Sequence, residues 1–255
     1  FCNLGFLWPQ YDLASAIRAA HHAGFDAVEC HYPYGEDMDN VCEALCETGL
    51  PMLGLNTSIG DSSRGDNGLC ALPGREQEAR DAIDLAFAYG VRMGARHVHV
   101  MAGKTDHVDA RDVFMKNLEY AAKVAEQSGM KVVIEPLNSF DVPGYFLQST
   151  HLAHDIINLL QKKNVRMMFD FYHVQRIHGS IVHHLQRHAP IIGHLQFAGV
   201  PDRGHPDKGE LNYRYLFDVA HQLCPNLFFG AEYRPIGRTE DSLSWLHRYK
   251  NHSII

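Results

Sequence analysis

The chain has 255 residues, of which 45% are hydrophobic and 21% are charged, and it carries a formal net charge of −7. These proportions are typical of an ordinary globular protein and exclude an intrinsically disordered chain. The negative charge argues against a broad surface for nucleic acid or anionic membrane, and no apolar run approaches the roughly 18 residues of a membrane span.

Short apolar runs alternate along the chain with segments of helical periodicity. The eight predicted strands are, in chain order, Phe1–Leu7, Ala27–Cys30, Pro51–Asn56, His97–Met101, Lys131–Glu135, Val165–Asp170, Ile191–Gln196 and Leu227–Glu232. Helices are predicted between and after them, over about Asp12–Gly24, Met38–Gly49, Glu76–Gly94, Phe114–Gly129, Thr150–Gln161, Ser180–Arg187 and Asn212–Leu223, with a last helix that Thr239 caps and that carries Leu243 and Leu246. Capping side chains at several starts and glycines at several ends support these bounds.

Strands that are separated by helices run parallel, because a helical crossover returns the chain to the same end of the sheet. Eight such units without a linker predict one α/β domain over residues 1–255, a single (β/α)8 TIM barrel. The alternative is an open doubly wound sheet, which is weakened by the absence of G-x-G-x-x-G after the first strand. The loop from Thr57 to Gly74 is long enough to suggest a functional role.

Four consecutive predicted strands end on or near an oxygen-bearing side chain, namely Glu135, Asp170, Gln196 and Glu232. Active sites of parallel barrels lie at the carboxyl ends of the strands, and neighbouring strands are only about 5 Å apart. Three carboxylates held together without a cation would repel one another. We therefore predict one metal site, whose oxygen ligands favour Mg2+ or Mn2+. The alternative is that each side chain is an ordinary polar group facing solvent.

Further polar residues follow strands and are predicted to line the same mouth as substrate contacts: His173, Arg203, Asn56, His99, Lys104 and Asn138. His173 could equally join the metal ligands, which would favour Mn2+, Co2+ or Zn2+. Arg203 has the planar fork that suits a substrate carboxylate, whereas Lys104 could simply be a loop residue in water. The pairs His21–His22 and His183–His184 are predicted to be exposed on helix faces.

Several motifs resemble the hydroxypyruvate isomerase family of the xylose-isomerase-like barrel superfamily, which includes 2-oxo-tetronate isomerases. They are residues 72–76 (LPGRE), 134–138 (IEPLN), 169–173 (FDFYH), 194–196 (HLQ), 209–213 (GELNY) and 230–233 (GAEY), and the similarity covers essentially the whole chain. The resemblance implies a barrel whose divalent metal is held by the residues at Glu135, Asp170, Gln196 and Glu232. It also implies that Glu135 and Glu232 serve as the acid–base pair.

The resemblance implies a metal-dependent isomerase that acts on a small 2-oxo hydroxy acid through an ene-diolate. Residues 138–144 and 172–176 are similar to hydroxypyruvate isomerases, which form tartronate semialdehyde. Residues 99–103 and 198–203 are similar to 2-oxo-tetronate isomerases, so that substrate is the alternative. More distant alternatives are a sugar epimerase, an abasic-site endonuclease, which would need several histidine ligands and a basic groove, and a non-catalytic sugar-acid binding protein.

The expected partner is a small 2-oxo acid, with no nucleic acid and no membrane. Barrels of this superfamily often associate, so a homo-oligomer is an open expectation. Six dispersed cysteines without a C-x2-C pair predict reduced thiols and a cytoplasmic location. No signal peptide is predicted, although the sequence lacks an initiator Met and begins inside the first predicted strand.

Overall fold

The computed structural model describes residues 1–250, except the side chains of residues 247 and 250. Its strands are β1 Cys2–Asn3, β2 Val28–Glu29, β3 Gly54–Asn56, β4 His97–His99, β5 Lys131–Ile134, β6 Val165–Asp170, β7 Ile192–Phe197 and β8 Phe229–Ala231. They form one sheet in the order β2-β1-β8-β7-β6-β5-β4-β3, in which all registered pairs are parallel. A parallel bridge between Val28 and Met52 and a hydrogen bond from Cys30 N–H to Gly54 O join the two outer strands. The predicted (β/α)8 barrel is confirmed, and the open sheet is wrong.

Helices cover the outside of this barrel. They are α1 Leu13–His22, α2 Met38–Thr48, α3 Glu76–Met93, α4 Ala110–Ser128, α5 Thr150–Leu160, α6 Phe171–Ile177, α7 Ile181–His188, α8 Tyr213–Leu223 and α9 Ser244–Lys250. Asp12 caps α1 as predicted, because its Oδ1 accepts from Ser15 N–H at 2.7 Å. No helix in the described part of the chain is both long enough and apolar enough to cross a bilayer.

Three details differ from the sequence prediction. The first strand ends at Asn3, because Leu7 N–H donates to Asn3 O and turns the chain. Helix α6 was not predicted; it starts directly after β6, where Asp170 accepts from Tyr172 N–H at 2.8 Å. Thr239 does not cap the last helix, since its hydroxyl accepts from the backbone N–H of Trp8.

The long loop between β3 and α3 folds back onto the chain that leaves β4. Gly68 forms an antiparallel bridge with Ala102 and has a φ of 105°. A Cβ at Gly68 would lie 2.6 Å from Met101 Cβ, so this close approach requires glycine. Arg75 fixes the other end of the loop through both oxygens of Asp66, at 2.8 and 2.9 Å. The loop is therefore held over the rim of the barrel next to β4.

Aromatic rings lie inside the barrel near the amino-terminal ends of the strands. The ring of His194 lies 4.9 Å from that of Phe1 and 4.2 Å from that of His97, measured between centroids. Gly54 leaves room for this packing, because a Cβ there would meet the His97 ring at 2.1 Å. The polar groups at the carboxyl ends of the strands lie above this layer.

Candidate active site

The four predicted strand-end side chains are all buried in the mouth of the barrel. Asp170 is the last residue of β6 and is paired in register with Gln196 of β7. Glu135 directly follows β5, and Glu232 directly follows β8. None of the four is more than 5% exposed. The alternative in which these groups simply face solvent is therefore wrong.

Glu135, Asp170 and His173 form one group in the mouth that could hold a metal ion, with one potential ligand atom from each lying within 4.8 Å of the others. His173 Nε2 lies 3.9 Å from Glu135 Oε1 and 3.8 Å from Asp170 Oδ2. Helix α6 brings His173 here, because the helix begins beside Asp170 and places His173 on its first turn.

Asn138 sets the protonation of the His173 ring. Its backbone N–H donates to His173 Nδ1 at 3.0 Å, and a backbone amide can only donate. Burial, followed by the charge of Arg203, lowers the pKa of His173 well below its usual value. A neutral ring with Nδ1 as acceptor carries its proton on Nε2, so the nitrogen that faces the carboxylates is a donor. The structure thus favours a substrate contact over a metal ligand for His173.

Three buried oxygens at the centre have no hydrogen-bond partner among the described residues: Glu135 Oε1, Asp170 Oδ2 and Gln196 Oε1. A buried acceptor without a partner costs about 1–3 kcal/mol, so such atoms are rare in folded proteins. All three lie at the ends of adjacent strands β5, β6 and β7. This donor set fits a hard divalent cation, which prefers oxygen ligands.

Arg203 supplies the positive charge of the centre in this structure. Its Nη2 lies 2.5 Å from Glu232 Oε2 and 3.6 Å from Asp170 Oδ2. The guanidinium stacks between two rings, 4.9 Å from the centroid of Phe6 and 5.2 Å from that of Tyr172. Arg203 therefore neutralises carboxylates that a bound cation would also neutralise.

Burial and this asymmetric placement of Arg203 separate the three carboxyl pKa values. Burial, with Glu232 nearby, raises the pKa of Glu135 well above its usual value. Burial also raises the pKa of Asp170 to about 7, although Arg203 opposes the change. At Glu232 burial acts in the same direction, but Arg203 and a hydrogen bond from His31 outweigh it and lower the pKa to about 2. Glu135 is thus the carboxyl most able to hold a proton.

Glu29 is a buried residue of the mouth that the sequence analysis missed. Its Oε1 accepts from Gln196 Nε2 at 2.7 Å and from Asn3 Nδ2 at 2.9 Å, while its Oε2 accepts from His194 Nε2 at 2.6 Å. A carboxylate can only accept, so Glu29 draws the amide nitrogen of Gln196 towards itself. The amide oxygen of Gln196 is consequently left free to bind a ligand at the centre of the mouth. Glu29 ends β2, so the strand-end rule used for the other strands could have found it.

Asn3 and His31 also belong to the site and were missed. Asn3 Nδ2 and His31 Nε2 each lie 2.9 Å from Glu232 Oε1. Tyr32 is close as well, since the charges of Glu232 and Glu135 add to burial in raising the pKa of its hydroxyl to about 12. Asn3 is the last residue of β1, whereas His31 and Tyr32 lie in a loop that carries no recognisable signal.

The other predicted residues divide into two groups. His99 is buried with Nδ1 3.8 Å from Glu135 Oε2, and Asn56 pairs with it in register at the end of β3. Asn138 is buried and holds His173. Lys104 is exposed, and within the described residues its side chain makes no hydrogen bond or ion pair with the centre. The structure therefore brings all predicted residues except Lys104 to or beside the mouth.

The model of the family described as xylose isomerase-like TIM barrel matches residues 17–249. A putative hydroxypyruvate isomerase from Danio rerio is 40% identical over 261 residues, which cover 98% of this chain and 95% of that protein. A 2-oxo-tetronate isomerase from Cupriavidus necator is 38% identical over 251 residues, which cover 97% and 96%. A solved structure from Brucella melitensis, described as an AP endonuclease of family 2, superposes with a TM-score of 0.93 at 35% identity and 97% coverage of both chains.

Fold and family match together define a xylose isomerase-like TIM barrel. Within that class the chain belongs to the hydroxypyruvate isomerase family and is an isomerase, as the motifs predicted.

Proposed function

We propose that this isomerase converts hydroxypyruvate into tartronate semialdehyde with the aid of one divalent cation, Mg2+ or Mn2+. Glu135, Asp170, Gln196 and Glu232 would hold the cation. The observation that carries the proposal is the presence, at the ends of adjacent strands, of three buried oxygens that have no hydrogen-bond partner among the described residues. A bound cation would stabilise the negative charge that develops on the substrate oxygens as the ene-diolate forms.

The proton transfer needs two groups that reach neighbouring carbons. One group removes a proton from C3 of hydroxypyruvate, and a proton is then delivered to C2. The C3 hydroxyl also loses its proton and the C2 oxygen gains one, so that C3 becomes the aldehyde and C2 carries the hydroxyl. We assign these steps to Glu135 and Glu232, which follow β5 and β8. Because β6 and β7 separate these strands, the two carboxylates approach the centre from different directions.

Glu135 is the better candidate for the first step. In the metal-free protein burial raises its pKa, so Glu135 would act as the base only when a bound cation keeps it ionised. It would then hold the proton that it has removed from carbon. Glu232 is held as an anion by Arg203, Asn3 and His31. It would therefore have to take up a proton, for which the C3 hydroxyl of the substrate is the source, before it could deliver one to C2. This requires Arg203 to shift its bond to another anion.

Two side chains are suited to holding the substrate. His173 presents Nε2–H, which has no hydrogen-bond partner among residues 1–250 as described, so it would donate to a substrate oxygen. Arg203 offers a buried planar fork, which would pair with the substrate carboxylate. Stacking against Phe6 and Tyr172 would fix the plane of that fork.

The alternative substrate is 2-oxo-tetronate, because a relative of that name is 38% identical over nearly the whole chain. A panel of 2-oxo acids with Mg2+ or Mn2+, followed by NMR, discriminates the two substrates. Faster turnover of 2-oxo-tetronate than of hydroxypyruvate would make 2-oxo-tetronate the assigned substrate.

Nicking of abasic DNA would support the endonuclease alternative. Substrate binding without exchange of its C–H hydrogen in deuterated water would support a binding protein. A cytoplasmic location and self-association stay predictions.

Glu135→Gln tests the proposed base. Glutamine keeps an oxygen that can face the cation but cannot accept the proton, so turnover should fall by about 100-fold or more while cation binding persists. Exposed Glu43 on α2 provides the matched control, Glu43→Gln. Isomerisation by Glu135→Gln at near the wild-type rate would overturn the assignment.

A further inference from the structure

Outside the barrel mouth, five histidines from three helices meet on one side of the molecule. His151 and His154 lie on α5, His178 directly follows α6, and His184 and His188 lie on α7. We call this group the histidine cluster. His151 is exposed and His188 is fully buried, so the cluster reaches from the surface inward. The sequence analysis predicted His183 and His184 to be exposed, which is correct for His183 and wrong for His184.

One nitrogen from each of His151, His178 and His184 lies within 4.8 Å of the others. The rings of His178 and His184 are stacked with centroids 4.5 Å apart. His184 and His188 lie four positions apart on α7, and the planes of their rings are nearly parallel, at an angle of 17°. Two histidines at this spacing share a helix face and can bind one ion together.

Metal binding requires neutral imidazoles, and the pKa values of three rings of the cluster are shifted in that direction. Burial, and then the neighbouring histidines, lower the pKa of His184 to about 4 and that of His188 to about 3. The pKa of His178 is lowered by burial and by His151. Full protonation therefore does not block the nitrogens of His178, His184 and His188 at neutral pH.

One nitrogen of the cluster is left unsatisfied, and a hydroxyl contacts two of its rings. His188 Nε2 is buried and has no hydrogen-bond partner among the described residues. The hydroxyl of Thr150 lies 3.1 Å from His178 Nε2 and 3.4 Å from His184 Nδ1. This hydroxyl is placed as the kind of outer partner that orients metal-binding imidazoles.

From this geometry we propose that His151, His178 and His184 form a second metal site, with the buried His188 packed beside it. Imidazole nitrogens favour Zn2+, Ni2+, Cu2+ or Co2+ over Mg2+ and Mn2+. The site is thus chemically distinct from the oxygen-rich mouth. An ion here would tie α5 to α7 and to the end of α6, the helix that carries His173 into the mouth. The cluster does not depend on the proposed reaction.

The test compares metal-free wild-type protein with the double variant His151→Gln/His178→Gln. Its matched control is His21→Gln/His183→Gln, which removes two exposed histidines outside the metal-binding triad. Each protein is loaded with Zn2+, desalted and analysed for ions per chain, and Zn2+ affinity is measured by calorimetry. We expect wild type and control to retain one more Zn2+ per chain than the double variant, with at least about tenfold weaker binding in the variant. An equal ion count in all three proteins would overturn the proposal, since the mouth is intact in each.

Cu2+ bound to the wild-type protein provides a readout that needs no variant. The paramagnetic ion should broaden the NMR signals of the His151 and His178 rings at substoichiometric concentration, before those of His21. Electron paramagnetic resonance should show coupling to several imidazole nitrogens. Equal broadening of His21 and His151 would show unspecific surface binding and would also overturn the proposal.

Discussion

Replacing Glu29 by alanine tests whether the metal centre depends on an acceptor that lies behind it. Glu29 accepts three hydrogen bonds, from Gln196, Asn3 and His194, at 2.6 to 2.9 Å. Glu29→Ala leaves all three buried donors without this partner, and each loss costs about 1–3 kcal/mol. We expect the free energy of unfolding to fall by about 3 kcal/mol or more in metal-free protein.

The same variant should also weaken cation binding, because the Gln196 amide is no longer held with its oxygen towards the centre. Loss of an outer partner of a ligand typically costs 10–100-fold in metal affinity, which corresponds to about 1.4–2.7 kcal/mol. Calorimetric titration with Mn2+ measures this affinity. Glu29→Gln keeps the size of the side chain and should lose less Mn2+ affinity, since its amide oxygen can still accept from Gln196.

A double-mutant cycle distinguishes this indirect effect from general damage to the site. If Glu29 acts through Gln196, Glu29→Ala should weaken Mn2+ binding much less in a Gln196→Ala background than in the wild type. Fully additive losses in the two backgrounds would refute the reasoning, as would unchanged Mn2+ affinity in a folded Glu29→Ala protein.

Two further predictions concern the charges of the mouth. Arg203→Gln leaves Glu232 and Asp170 without their guanidinium, so the free energy of unfolding of the metal-free protein, measured in urea, should fall by about 3–5 kcal/mol. Saturating Mn2+ should restore part of that loss. Equal losses with and without Mn2+ would contradict this prediction. The pKa of Asp170 rises from 3.8 to about 7 on folding, so this carboxyl destabilises the metal-free fold increasingly as pH rises from about 4 to 7. As the pH rises from about 4 to 7, the free energy of unfolding of metal-free Asp170→Asn should therefore increase relative to that of the wild type by up to about 4 kcal/mol. A difference in unfolding free energy that does not change with pH would argue against the raised pKa.

The barrel could be predicted from sequence because each of its repeating units has a local signature. Apolar strand residues, helical periodicity and capping groups such as Asp12 act within a few positions of one another. The placement of Glu135, Asp170 and Glu232 at the same end of the barrel followed from the topology alone, since parallel strands end on one face. These predictions needed only strand ends and chain order.

Other features depend on contacts between distant residues and left little trace in the sequence. Glu29 meets Gln196 across 167 positions, and Arg203 meets Glu232 through a loop whose path no pattern specifies. His184 is buried because α5 and α6 place His151 and His178 against it, although its neighbour His183 is exposed. Helix α6 is short, at 7 residues, and starts without a turn after β6, so its periodicity was too brief to recognise.

Anomalous diffraction from crystals soaked in Mn2+ tests the central claim most directly. The account predicts a single Mn2+ peak in the barrel mouth, with oxygens of Glu135, Asp170, Gln196 and Glu232 at about 2.1 Å and with Arg203 no longer bonded to Glu232. A mouth without a Mn2+ peak, with the Arg203–Glu232 bond intact at saturating Mn2+, would contradict it.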